Sequence, residues 1–154
     1  MNILRKAKND VDSIVEAYIE STLKKIANYK DHLSLNGKNI EKANVEQAAY
    51  LAYYDEIRVD LKSLLSYYEL KIKEVKAQSW KLLNDHKVAS SDREKEILVN
   101  GNVTFLKVNR IYLEIKEMHD IVDGIVEQFK NRAYTLTNLT KIRVAALQDV
   151  TLYD

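Results

Sequence analysis

The 154-residue chain contains no cysteine, no proline and only three glycines, Gly37, Gly101 and Gly124. The absence of cysteine excludes disulfides, thiolate metal sites and a cysteine nucleophile, and fits a reducing cytosol. Proline and glycine are the main punctuators of turns, so their scarcity favours a few long helices over many short strands. Charge of one sign is also missing: 24 Lys and Arg stand against 23 Asp and Glu, a net charge of +1. Such a balance excludes a polycation that coats DNA through bulk charge. No long hydrophobic run occurs near the start, where Met1-Asn2-Ile3-Leu4-Arg5-Lys6 is followed by Asp10 and Asp12. Neither a signal peptide nor a membrane span is expected.

Catalytic signatures are also lacking. There is no Gly-rich phosphate loop and no Gly-x-Ser-x-Gly elbow. His32, His86 and His119 are scattered without a second ligand at metal-site spacing, and each reads as a surface or flank residue. The acidic pairs Asp10/Asp12 and Asp120/Asp123 read as solvated helix faces. A non-enzymatic protein with no metal and no cofactor is expected.

What the chain does have is apolar periodicity. Its hydrophobic fraction of 46% suffices for a real core in one domain of ordinary size. From Val11 to Leu33, apolar residues fall at 11, 14, 15, 18, 19, 23, 26 and 29, a helical spacing that Asn36-Gly37 ends with a turn. A second helix is expected from Ile40–Asn44 to about Asn84, with a stripe through Tyr50, Tyr54, Ile57, Leu61, Leu64 or Leu65, Tyr68, Ile72, Val75 and Leu82. Lys87 to Asn102 interrupts the pattern. Ser91-Asp92-Arg93-Glu94 suits a capping box, so a loop or single turn leading into a helix is preferred there. A small hairpin about Asn100-Gly101 is the weaker alternative, because period-2 alternation is poor.

The third helix, about Val103 to Asn131, has the cleanest pattern. Val108, Ile111, Ile115, Met118, Val122, Ile125 and Phe129 alternate spacings of three and four, a heptad seam. Phe105, Tyr112 and Val126 widen it beyond a two-stranded zipper, so a bundle or a helix shared between subunits is expected. Thr135, Thr137 and Thr140 suggest a connection, and a last helix would carry Leu139, Ile142, Ala146 and Val150. The expected architecture is an all-α long-helix bundle with a coiled-coil-like C-terminal oligomerisation region. Along the chain it divides into an N-terminal helical part (1–86), a connecting loop (87–102) and a C-terminal part (103–154).

Charge is unevenly distributed along these helices. Residues 58–87 hold seven Lys/Arg and four Asp/Glu, whereas residues 110–127 hold two and five. The first segment includes Leu61-Lys62-Ser63-Leu64-Leu65-Ser66-Tyr67-Tyr68. Lysines meet phosphates, and flat rings offer a stacking face to any base of a single strand. By helical projection, Arg58, Lys62, Lys73, Lys76 and Trp80 share one flank of the apolar stripe, and Tyr53, Tyr67 and Lys71 lie on the other. Leu64 and Tyr68 fall on the stripe itself. Taken alone, such a segment more often is a solvated helix face, with Glu69 and Glu74 as local partners for its lysines.

The same residues resemble the UvsY family of recombination mediator proteins from T-even-like bacteriophages. That family carries Leu-Lys-Ala-Arg-Leu-Asp-Tyr, often with a second Tyr, where this chain has Leu61 to Tyr68. The Leu, Lys, Leu and both Tyr positions match, while Leu64 replaces the family's arginine and Ser66 its aspartate. A second block, Leu106-Lys107-Val108, Gly124, Asn131-Arg132-Ala133-Tyr134-Thr135-Leu136 and Arg143, falls at matching offsets, so the resemblance covers roughly residues 45 to 147. It implies a non-catalytic protein that forms ring-like homo-oligomers and binds single-stranded DNA. Such a protein weakens the hold of the phage single-strand-binding protein and loads a RecA-like phage recombinase, in the cytoplasm of the infected bacterial host.

On this reading Arg58, Lys62, Lys71, Lys73 and Lys76 meet phosphates, Trp80 and Tyr67 stack, and the Val108–Phe129 seam joins subunits. The acidic flank Glu114, Glu117, Asp120 and Asp123 is a candidate docking face for a partner protein. The alternative is a helical oligomeric scaffolding or assembly adaptor without nucleic-acid binding.

Overall fold

A computed structural model describes residues 11–88 and 91–151, with side chains through residue 146. Asp10, and the side chain of Val150, lie outside the described residues. All regular structure among the described residues is α-helical: α1 (Val11–Ile26), α2 (Tyr29–Leu33), α3 (Ile40–Asp85), α4 (Asp92–Asn100) and α5 (Val103–Thr151). The all-α bundle expected from the periodicity is the fold.

Helix starts follow from local capping. Asn39 Oδ1 accepts from the Glu41 amide at 2.7 Å before α3, and Asn102 Oδ1 accepts from the Thr104 amide at 2.8 Å before α5. Ser91 Oγ accepts from the Glu94 amide at 3.2 Å, so the 87–102 interval holds a capped nine-residue helix and no hairpin. Each such cap satisfies a donor that the first helical turn leaves open. Gly37 provides the predicted turn, with φ +69°, a left-handed conformation that side-chain-bearing residues adopt at a cost.

Two helix boundaries differ from expectation. The first apolar segment breaks at Ala27-Asn28 into α1 and α2. The threonine-rich connection does not exist, because α5 runs through it. Thr135, Thr137 and Thr140 bond the carbonyls of Asn131, Ala133 and Leu136, four residues back, at 3.2, 2.9 and 2.8 Å. Their hydroxyls are thereby satisfied within the helix instead of competing with it.

Packing groups the described helices into two compact units. One compact unit combines Met1–Ser21 with Val59–His119, the other Thr22–Arg58 with Asp120–Asp154. The core of the first contains Val15, Ile19, Leu61, Leu64, Tyr68, Val99, Phe105, Val108, Ile111, Ile115 and Met118. That of the second contains Ile26, Ala43, Tyr54, Ile57, Val122, Ile125, Val126, Phe129 and Leu136, together with the polar Thr22, Gln47 and Arg132. Several apolar assignments change. Ile14, Leu23 and Leu82, and Leu139, Ile142 and Ala146 of the expected last helix, are exposed, and Thr22 takes the buried position in the run Val15, Ile19, Thr22, Ile26.

Candidate nucleic-acid interface

The predicted contact residues separate into three groups. Lys62 and Lys73 are exposed, and neither has an ion pair among the described residues. They stand eleven residues apart on α3, about three turns and about 16 Å along the axis, offset by only about 20° around it. Trp80 follows seven residues later on the same line, half-buried, with Lys95 Nζ 5.7 Å from its ring centroid. This open row belongs to the first unit.

Other predicted cations are committed to partners within the chain. Arg58, in the second unit, donates to Asp55 at 3.0 and 2.7 Å and to Asp123 at 3.2 Å. Those two carboxylates push its pKa still higher and neutralise its charge locally. Lys76 lies 5.0 Å from the centroid of the Phe105 ring. Lys71 Nζ is 2.7 Å from Asp12 Oδ1 and 5.3 Å from the Tyr68 ring centroid. Tyr67 is half-buried on the opposite flank from the row, edge-on to Tyr68 with centroids 5.3 Å apart. Leu64 and Tyr68 are buried, as their place on the stripe predicts.

Asp12 is a point at which several donors of the first unit converge. Besides Lys71 it accepts from the Tyr68 hydroxyl at 2.7 Å and lies 3.8 Å from Lys107 Nζ. Burial pushes its carboxyl pKa up, but the hydrogen bonds from Lys71 and Tyr68 and the charges of Lys71 and Lys107 outweigh burial and hold it below the ordinary value. Burial also pushes the Tyr68 hydroxyl pKa up, and the neighbouring Asp12 carboxylate adds to the shift, so this ring stays neutral and donates.

The heptad seam is consumed inside the chain. Val108, Ile111, Ile115 and Met118 are buried in the first unit, and Val122, Ile125 and Phe129 in the second. A pattern of spacing three and four states that a face is covered, not which helix covers it. As folded, these residues are not free to meet another subunit. The exposed large hydrophobic side chains of α5 are instead Val103, Leu106, Leu113, Ile121 and Tyr134, with Leu139, Ile142 and Val144 beyond Leu136, its last buried residue among those described. On the acidic flank, Glu114 pairs with Arg110 at 3.0 Å and Asp123 with Arg58.

Sequence reading missed the polar centre of the second unit. Arg132 is buried and donates to the carbonyls of Leu33 at 3.1 Å and Ala43 at 3.4 Å, and to Gln47 Oε1. Gln47 Nε2 in turn donates to the Phe129 carbonyl at 2.6 Å. Desolvation lowers the Arg132 pKa. One signal was available: Arg132 occupies the next seam position after Phe129, where an apolar residue is expected. Beside it, His32 stacks on Tyr50 at 4.3 Å and shares a 2.8 Å hydrogen bond with the Tyr54 hydroxyl, whose pKa burial pushes up to about 12. His32 is therefore a packing residue on a flank, and His86 is exposed.

Among the described residues no group of three or more His, Cys, Asp or Glu is placed to hold a metal ion. None of the described helices is long and apolar enough to cross a membrane. Comparison with family models, with curated proteins and with solved structures returned no match to this chain.

Proposed function

We propose that the protein is a non-catalytic single-stranded-DNA-binding recombination mediator of a phage. It would help a RecA-like recombinase load onto DNA covered by single-strand-binding protein, in the cytoplasm of the infected host. The observation that carries the reading is the open row on α3. Lys62, the lysine of the mediator-like motif, is exposed and unpaired among the described residues, aligned with Lys73 and Trp80. Two point charges in line with an aromatic ring suit a flexible strand, whose phosphates need cations and whose bases need a ring to stack on. Arg58 is secondary to this row because its charge already has two carboxylate partners, and Lys76 lies against the Phe105 ring. A row of two lysines binds weakly as a monomer, and several copies acting together would raise its effective concentration on one strand.

The test is a titration of a labelled oligonucleotide at low and moderate salt. The wild type is expected to prefer single strand to duplex, to weaken with salt, and to lose most affinity in Lys62→Ala/Lys73→Ala. Binding that is absent at low salt, or unchanged in the double variant, overturns the assignment.

One observation favours a second reading. Leu139 and Ile142, about 60° apart around the helix, leave an apolar surface on the end of α5, beyond the described core. An oligomeric scaffold or assembly adaptor uses such a surface without needing DNA. Light scattering on Ile142→Asp separates it from the first reading. A scaffold loses assembly while no oligonucleotide binding is seen in either form.

A further inference from the structure

Three donors from two helices meet on one carboxylate from a third. Lys71 Nζ and Tyr68 Oη, both from α3, each lie 2.7 Å from Asp12 Oδ1, and Lys107 Nζ of α5 lies 3.8 Å from Oδ2. Two ammonium groups and a phenol aimed at one anionic centre are the donor set of a phosphate site. Here an oxygen pair of the chain itself fills it.

We infer that Asp12 is an internal stand-in for a phosphate, and that Lys71, Lys107 and the Tyr68 hydroxyl form a latent anion site opened when a DNA phosphodiester displaces the first turn of α1. This rests on the single-strand-binding reading and deepens it. Lys71 sits about 160° around α3 from Lys73 by helical projection, on the flank opposite the open row. Between the flanks, α3 presents the exposed Ser63, Ser66, Leu70 and Glu74, with the ring of Tyr67 at the edge of the second flank. A strand held on Lys62 and Lys73 reaches the second flank by crossing there, and its phosphate then competes with Asp12.

The latch is built to open at small cost. Asp12 lies in the first turn of α1, where Ser13 and Ile14 are exposed, and the first buried side chain is Val15. Terminal helical turns whose side chains are exposed in this way are where local opening occurs without global unfolding. Lys107 is not committed either, since its side chain is 65% exposed and its distance to Asp12 is long for a hydrogen bond.

The test compares Asp12→Asn with Glu96→Gln, which removes one charge from an exposed position on α4. Asp12→Asn is expected to bind a 20-nucleotide single strand about tenfold more tightly than wild type, with a steeper salt slope, because one or two more phosphates are neutralised. Glu96→Gln should change affinity no more than about twofold, as the loss of one exposed, screened charge does. Adding Lys71→Gln and Lys107→Gln to Asp12→Asn should remove the gain. A second measurement needs no variant: saturating wild type with the oligonucleotide should lower hydrogen-exchange protection at amides 15–18 of α1. A gain in Asp12→Asn no larger than in Glu96→Gln, or unchanged protection of α1, overturns the inference. If wild type binds and depends on Lys62 and Lys73 yet either result appears, the inference fails alone. If neither wild type nor Asp12→Asn binds at low salt, the binding function fails with it.

Discussion

Leu64 occupies the position at which the resembling mediators carry arginine, and it is 1% exposed in the first unit. Restoring the arginine therefore tests whether the motif is a surface here or a core. Leu64→Ala removes buried methyl groups and leaves a cavity, which costs about 2–5 kcal/mol. Leu64→Arg also forfeits that apolar contact and buries a guanidinium with no partner provided, adding several kcal/mol of desolvation. The total approaches the whole stability of an ordinary domain, about 5–15 kcal/mol. Urea denaturation followed by helical circular dichroism reads both. With a slope of about 2 kcal/mol per molar, Leu64→Ala should lower the midpoint by about 1–2 M. Leu64→Arg should lack a cooperative transition in the first unit. A Leu64→Arg protein that unfolds at the wild-type midpoint and binds single strands more tightly refutes the burial of this position. It would also make the eight-residue motif a DNA surface throughout.

Three further predictions concern buried polar groups. The Asp12 pKa is held below its ordinary value of 3.8, so its stabilising contribution is complete above that value and is lost as pH falls through the lower folded value. Accordingly the thermal midpoint of wild type should exceed that of Asp12→Asn at pH 6, and the gap should close on acidification below about pH 4; a constant gap refutes the linkage. Arg132→Lys keeps the charge but loses the planar fork that reaches Leu33, Ala43 and Gln47, and should cost about 2–4 kcal/mol in urea unfolding, whereas a neutral result means those carbonyls find other donors. Thr22 is fully buried and its hydroxyl has no hydrogen-bond partner among the described residues, so Thr22→Val should raise stability by about 1 kcal/mol, and destabilisation would show that the hydroxyl is satisfied in solution.

Local signals were legible wherever the physics is local. The Asn36-Gly37 turn, the Ser91 cap and the near-complete span of α3 depend on backbone preference and on side chains within a few residues of the atoms they satisfy. Periodicity also identified Leu61, Leu64 and Tyr68 as buried and Val108–Phe129 as a covered seam, one expected to join subunits and found buried within the chain itself. It failed at the threonines of α5, whose i−4 hydrogen bonds are as compatible with a continuous helix as with its end.

The sequence by itself determined an all-α chain, because missing proline and scarce glycine leave long amphipathic runs with little to stop them. It also determined which faces are apolar. Tertiary structure alone decided what those faces and charges meet. The seam closed on the chain's own helices, and Arg58 found Asp123 sixty-five residues away. Lys71 found Asp12 fifty-nine residues away, and the motif tyrosine Tyr68 became a buried donor to the same carboxylate. Such pairings depend on which helices pack together, and a single-helix projection carries no information about them. The basic segment is thus divided by the fold into an open row at Lys62 and Lys73 and a second cation set held closed by an aspartate.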